Sequence, residues 1–231
     1  MLAFFYLLGL FVAADNPSPA ATQADTVRVD HLILGVNDLE RGMDAFARIT
    51  GVRPVFGGRH PGRGTANALV TLGDGTYLEI LGPASTHRDS IPPNLAGLDS
   101  LTPIGWALGT RDLAGLGKRL QAAQISITPI QAGSRRKPDN SMLSWRTAAP
   151  TGAGLEAAPF FIEWGPGTAH PSSTSPAGCR LNRLVAYSPD PGPLTTLLRT
   201  AGVAVPVERG AGGLSFSTSC PLGSVSFGRK P

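Results

Sequence analysis

Few residues in this sequence combine a reactive side chain with a setting that demands a partner. His31 lies in Thr26–Gly35 (TVRVDHLILG), where alternation places Val27, Val29, His31 and Ile33 on one face of a strand. Glu79 shares a strand face with Tyr77 and Leu81, and Glu163 with Phe161. A carboxylate in apolar company is costly unless it is paired or liganded. One partner is an arginine such as Arg59, Arg135, Arg146 or Arg183, because guanidinium and carboxylate form bidentate pairs. The other is a ligand in a pocket.

Further candidates surround these. His60 sits in a glycine-rich segment, Gly57 to Gly64, ahead of a strand. Glycines permit tight turns and close backbone approach, so the segment reads as a loop at the mouth of a site, with His60 an acid/base or substrate contact. The alternative is a hairpin turn with an exposed histidine. Asn67 is suited to orienting a substrate carbonyl or to capping its own loop. Arg135 and Arg136 fall in a polar stretch with Pro138-Asp139-Asn140, either solvated or a clamp for a substrate carboxylate. Trp106, Trp145 and Trp164 lie on predicted strands, as core or as an aromatic pocket wall. His170 falls in a Pro/Ser/Thr-rich linker, Gly165 to Ala177, where no specific role is expected; His87 is similar.

The elements that must position these side chains recur along the chain. After the first strand, Asn37 and Glu40 have the spacing of a capping box, and Leu39, Met43, Phe46 and Ile49 follow at helical spacing up to Gly51. Strands are predicted at Val52–Phe56, Ala66–Leu72 and Thr76–Leu81, giving β-α-β-β-β. The order restarts at Ile104–Gly109, with a helix opening at Asp112 and strands at Ser126–Gln131, Ser141–Arg146 and Pro159–Trp164. A third start is Leu181–Ser188, a helix carrying Leu194, Leu197 and Leu198, then Val203–Val207, Leu214–Thr218 and Ser224–Phe227. Gly35-Val36-Asn37-Asp38-Leu39 aligns with Gly109-Thr110-Arg111-Asp112-Leu113, and Tyr187-Ser188-Pro189-Asp190-Pro191 follows more loosely. The expected organisation is residues 1–25 as leader and linker, paired modules over 26–165 (26–83 and 102–165), a linker over 166–178 and a third βαβββ-like unit over 179–231.

Composition agrees with short elements. The 231 residues include 29 glycines and 21 prolines, and only 16% are charged, against about 25% in an average domain. Coiled coils and disordered tails are disfavoured. The net charge of +4 is spread out, with no basic run longer than Arg135-Arg136-Lys137, so no nucleic-acid partner is expected. Leu2 to Ala14 is an uncharged apolar run ending Val12-Ala13-Ala14. It fits the apolar part of an export signal and is short for a membrane span. It has no Lys or Arg before it, so retention in the membrane is the alternative to a secreted or periplasmic product. Cys179 and Cys220 are either a disulfide or two buried thiols.

His31-Leu32-Ile33-Leu34-Gly35-Val36-Asn37-Asp38-Leu39, followed by Tyr77-Leu78-Glu79-Ile80-Leu81, resembles the vicinal-oxygen-chelate superfamily of glyoxalase I, extradiol dioxygenases and bleomycin-resistance proteins. Gly57 to Leu69, Ser134 to Arg146 and Pro159 to Trp164 look like the glyoxalase-like domain family in particular. The resemblance implies an α+β fold, with repeated βαβββ modules forming a cupped mixed β-sheet and helices outside. It implies a divalent metal held by the first and last strands of each module, here His31, Glu79 and Glu163. Gly105 stands where a fourth ligand belongs and has no side chain; Arg183 is its counterpart in the third unit. Glu163 and His60 are then the catalytic candidates. Asn67, Arg135, Trp145, Arg146 and Trp164 are the substrate-binding ones. The expected function is glyoxalase-like action on a small oxygen-bearing molecule, as a metal-dependent lyase, isomerase or dioxygenase. A non-catalytic small-molecule binding protein of the same fold is the alternative, and a partner-recruiting third unit or a homo-oligomer stays open.

Overall fold

The computed structural model describes residues 26–60, 62–85, 91–137 and 139–228. The segment read as an export signal, and His87, lie outside the described residues. The first module is β1 (Arg28–Gly35), α1 (Leu39–Thr50), β2 (Val55–His60), β3 (Thr65–Thr71) and β4 (Tyr77–Pro83). A short helix, α2 (Pro93–Ala96), leads to the second. That module is β5 (Thr102–Gly109), α3 (Leu113–Ala122), β6 (Ser126–Ile127), β7 (Gln131–Arg136), β8 (Met142–Ala148), β9 (Pro150–Thr151) and β10 (Phe160–Trp164). After α4 (Pro171–Thr174) comes the third unit: β11 (Arg180–Ser188), α5 (Pro191–Ala201), β12 (Val207–Arg209), β13 (Gly213–Cys220) and β14 (Gly223–Gly228).

The two modules share one eight-stranded sheet in the order β2-β3-β4-β1-β5-β10-β8-β7. β1 and β5 run antiparallel at its centre, and each has a parallel neighbour, β4 and β10. The sheet curls until its two edges approach. Arg135 on β7 reaches across and donates to the carbonyl of Gly57 on β2. Gly58 lies under the same guanidinium: a Cβ there would stand 2.7 Å from Nη1. Helices α1 and α3 cover the convex face. Asp38 accepts from the Arg41 amide at 3.0 Å and Asp112 from that of Gly115 at 2.8 Å, so each caps its helix. The expected capping box on Asn37 does not form, because Asn37 donates to Asp99 at 2.7 Å instead.

Leu32 and Leu34 turn to the convex side and are fully buried there with Phe46, Trp106 and Phe161. Trp106 is therefore core, its indole N–H donating to the Ala157 carbonyl at 2.9 Å. The third unit is a four-stranded sheet, β12-β11-β13-β14, packed on this same core. Phe227 of β14 stacks on Phe46 of α1 with ring centroids 6.0 Å apart, and the Leu222 amide donates to the Thr50 carbonyl. Cys179 and Cys220 are joined in a disulfide beside this contact. No helix among the described residues is long and apolar enough to cross a membrane.

Two expectations change. The glycine-rich segment is only partly a turn: Gly57 to His60 belong to β2, His60 pairs with Thr65, and residues 62–64 are the turn of the β2–β3 hairpin. Gln131–Arg136 is likewise an edge strand rather than a polar loop. In both cases cross-strand pairing overrides local composition. Phe46 has no exposure and bridges first module and third unit. Phe46→Ala is expected to lower stability by about 3–5 kcal/mol, read as a shift in the urea midpoint without loss of the strand signal in circular dichroism at low denaturant.

Candidate functional site

The concave face of the sheet encloses a cup of about 710 Å³, and strand period decides who faces it. His31 and Ile33 of β1 face in, as do Tyr77, Glu79 and Leu81 of β4, and Phe160, Ile162 and Trp164 of β10. His60, Thr65 and Asn67 come from the β2–β3 hairpin, and Arg135 and Trp145 from β7 and β8. Trp145 meets Trp164 edge to face at 5.9 Å, forming an aromatic wall.

The polar groups on the floor form a connected chain. His31 is nearly inaccessible and stacks on Tyr77 at 4.6 Å, with Phe160 edge-on at 5.4 Å. Its Nδ1 lies 2.7 Å from Asp30 Oδ1. A carboxylate only accepts, so Nδ1 carries the hydrogen and Nε2 points at Glu79 Oε2, 3.7 Å away. The other glutamate oxygen accepts from Asn67 Nδ2 at 2.7 Å. The same amide nitrogen lies 3.3 Å from His60 Nε2, while His60 Nδ1 meets Thr65 Oγ1 at 2.9 Å. His60 thus accepts at Nε2. Burial is the main cause of its lowered pKa; Glu79 opposes the shift, and Arg135 and Arg63 add to it.

Asp30 was not among the expected site residues. Its Oδ2 accepts from His170 Nε2 at 2.9 Å and from Trp164 Nε1 at 3.1 Å. Burial alone would push this carboxyl up, but the hydrogen bonds from His170 and His31 prevail and hold it well below the usual carboxylate range. Adjacent strand residues normally point to opposite faces. Here Val29 pairs with Leu108 and His31 with Ala107, so Asp30 is the extra residue of a β-bulge. The bulge lets both side chains meet. His170, expected to do nothing specific, closes the far end: Ser172 donates to its Nδ1 through the backbone amide at 3.2 Å.

The structure brings His31, Glu79, His60, Asn67, Arg135, Trp145 and Trp164 to the cup, and leaves out Glu163 and Arg146. Glu163 faces the convex side, where Oε2 accepts from the Leu113 amide at 2.8 Å and Oε1 from Arg146 at 2.6 Å. The register explains this. Ile33 pairs with Glu79 in the first module, and Ala107, the residue matching Ile33, pairs with Phe160 in the second. Phe160 therefore stands where Glu79 would, and Glu163, three residues on, faces the other way. Arg146 pairs with Glu163 rather than with anything in the cup.

A resident divalent metal does not fit this donor set. With Glu163 turned away and no side chain at Gly105, the expected ligands reduce to His31 and Glu79. Among the described residues no group of three or more His, Cys, Asp or Glu side chains is placed to hold a metal. Structural and catalytic sites of this kind use three or four protein ligands.

A curved eight-stranded sheet of two βαβββ modules with its polar cluster on the concave face is the vicinal-oxygen-chelate fold. The chain belongs to the glyoxalase-like domain family, whose profile matches residues 29–202. Its fold is similar to that of a hypothetical protein from Staphylococcus aureus, 14% identical with a TM-score of 0.63, over 87% of this chain and 99% of that one. Methylmalonyl-CoA epimerase from Mycobacterium tuberculosis is 19% identical, with a TM-score of 0.45, over 60% of this chain and 88% of that one. The Streptomyces coelicolor epimerase, in complex with 2-nitronate-propionyl-CoA, is 18% identical, with a TM-score of 0.44, over 59% and 96%. No curated protein sequence matches the chain.

Asp30 also sets an acid sensitivity. Its folded carboxyl is held low, so the stability it contributes is complete above about pH 4, the unfolded value, and is lost as pH falls toward the folded one. Asp30→Asn is expected to destabilise the protein at pH 7 by about 1–3 kcal/mol. It is also expected to flatten the drop in urea midpoint that the wild type shows between pH 4 and pH 2.

Proposed function

We propose that this glyoxalase-like protein is an enzyme that acts on a small oxygen-bearing molecule by transferring a proton on the floor of the cup. The observation that carries this reading is the pair His31 and Glu79, facing each other across 3.7 Å with their outer atoms tied down. An atom resting over that gap touches both. Glu79 serves as the base for a proton next to a carbonyl: the C–H bond breaks, the proton passes to the carboxylate, and the electron pair moves into the carbonyl. Asn67 fixes the carboxylate, and Asp30 fixes the imidazole so that Nε2 addresses the substrate. A positioned general base of this kind contributes roughly 10²–10⁴-fold to rate. The Cys179–Cys220 disulfide supports work in an oxidising compartment, in keeping with export.

The second reading is a binding protein without turnover, and the Trp145–Trp164 wall favours it. Deuterium exchange separates the two. The protein is incubated in D2O with small 2-oxo, 2-hydroxy and 1,3-dicarbonyl compounds, and loss of the α-proton signal is followed by NMR. Exchange is expected with at least one class, falling about 100-fold or more in Glu79→Gln. Ligands that bind yet never exchange would replace the enzyme reading with the binding one.

A further inference from the structure

Two features of the cup remain unused by the proton transfer. Arg135 is 4% exposed and lines the cup, yet among the described residues no carboxylate lies within the 4.0 Å of an ion pair. It donates instead to a neutral acceptor, the Gly57 carbonyl. Burial lowers its pKa, and the negative charge of Glu79 only partly offsets this. A buried guanidinium without an anion carries an uncompensated desolvation penalty. Arg63, on the turn after His60, lines the same cup. The ionised groups of known sign facing the cup are thus two guanidiniums and one carboxylate, Glu79. The opposite wall is the edge-to-face pair of Trp145 and Trp164, beside Phe160.

We infer that the cup selects a small monocarboxylate, oxygenated at the carbon next to the carboxylate and carrying an apolar side group. The carboxylate lies on Arg135, with Arg63 at the rim drawing it in. The hydrogen on the neighbouring carbon, or on its hydroxyl, lies over the gap between His31 Nε2 and Glu79 Oε2. The side group packs on the Trp145–Trp164 wall. A single negative charge balances the lining, and the planar fork of arginine matches a carboxylate. A neutral analogue would leave Arg135 as unpaired as it is without ligand. This inference rests on the proton-transfer reading for the role of the gap, but its test does not depend on turnover.

Mandelate, an aromatic 2-hydroxycarboxylate, and mandelamide, its neutral counterpart, are titrated into the full chain by calorimetry at low and high salt. Mandelate is expected to bind at least about 10-fold more tightly than mandelamide, with the difference shrinking as salt rises. Arg135→Gln is expected to weaken mandelate roughly 10–100-fold while leaving mandelamide unchanged. Arg135 also clasps the sheet edges, so Arg63→Gln, which leaves that clasp intact, is the second variant and should weaken mandelate several-fold. Equal affinities for acid and amide would overturn the inference, as would no mandelate binding, or wild-type affinity in both variants. Carboxylate binding without any deuterium exchange would leave this inference standing and remove the proton-transfer reading alone. Exchange of neutral ketones with no carboxylate preference would do the reverse.

Discussion

The site depends on one buried carboxylate. Asp30 is almost wholly inaccessible, and an ionised group in that setting persists only if donors surround it. Three do, and they come from three parts of the chain: His31 beside it on β1, Trp164 on β10 and His170 in the segment leading to the third unit. The missing side chain of Gly109 gives the carboxylate its room, since a Cβ there would come within 2.7 Å of Oδ2. Asp30 therefore ties the first module to the second and pins the connecting segment over their junction. The direction of His31 Nε2, and with it the 3.7 Å approach to Glu79, follows from where that carboxylate is held.

The same backbone device recurs without the same chemistry. Ile33 pairs with Gly105 and Leu34 with Pro103, so Ile104 is an extra residue on β5. Leu181 pairs with Thr218 and Arg183 with Ser217, so Asn182 is an extra residue on β11. Asp30, Ile104 and Asn182 occupy matching places in the three units, each followed by the position His31 holds in the first. In the second unit that position is Gly105, with Phe160 replacing the glutamate. In the third it is Arg183, which pairs with Glu208 at 3.2 Å. The bulge belongs to the fold, and of the three units the first is the one that sets a histidine against a glutamate there.

Much of this was legible from period alone. Alternation over β1 and β4 separates His31 and Glu79 from Leu32, Leu34, Leu78 and Ile80, and the helices follow from leucine and phenylalanine spacing. Three things were not legible, each for a physical reason. Period gives the faces of a strand but not which face is concave, and so Glu163 reads as a partner of Glu79 when the register makes Phe160 its counterpart. A bulge breaks the period where it matters, which hides Asp30 one residue from His31. His170 reaches Asp30 across 140 positions of sequence, and nothing local to its Pro/Ser/Thr-rich surroundings records that contact.

Glu79 and Glu163 show why burial of a carboxylate is a poor guide to chemistry until its oxygens are followed. Both sit on strands among apolar neighbours. Glu163 has both oxygens engaged, one by the first-turn amide of α3 and the other by Arg146, so it stabilises a helix start and an outer surface. Glu79 has Asn67 on Oε1, while among the described residues no hydrogen bond reaches Oε2, and His31 Nε2 stands 3.7 Å from it. Capacity left on an oriented, partly desolvated oxygen is what a base requires, and a fully satisfied carboxylate has none to offer. The distinction lies in the partners each register supplies: β10 delivers Glu163 to a helix N-terminus, and β4 delivers Glu79 to the floor of a cup.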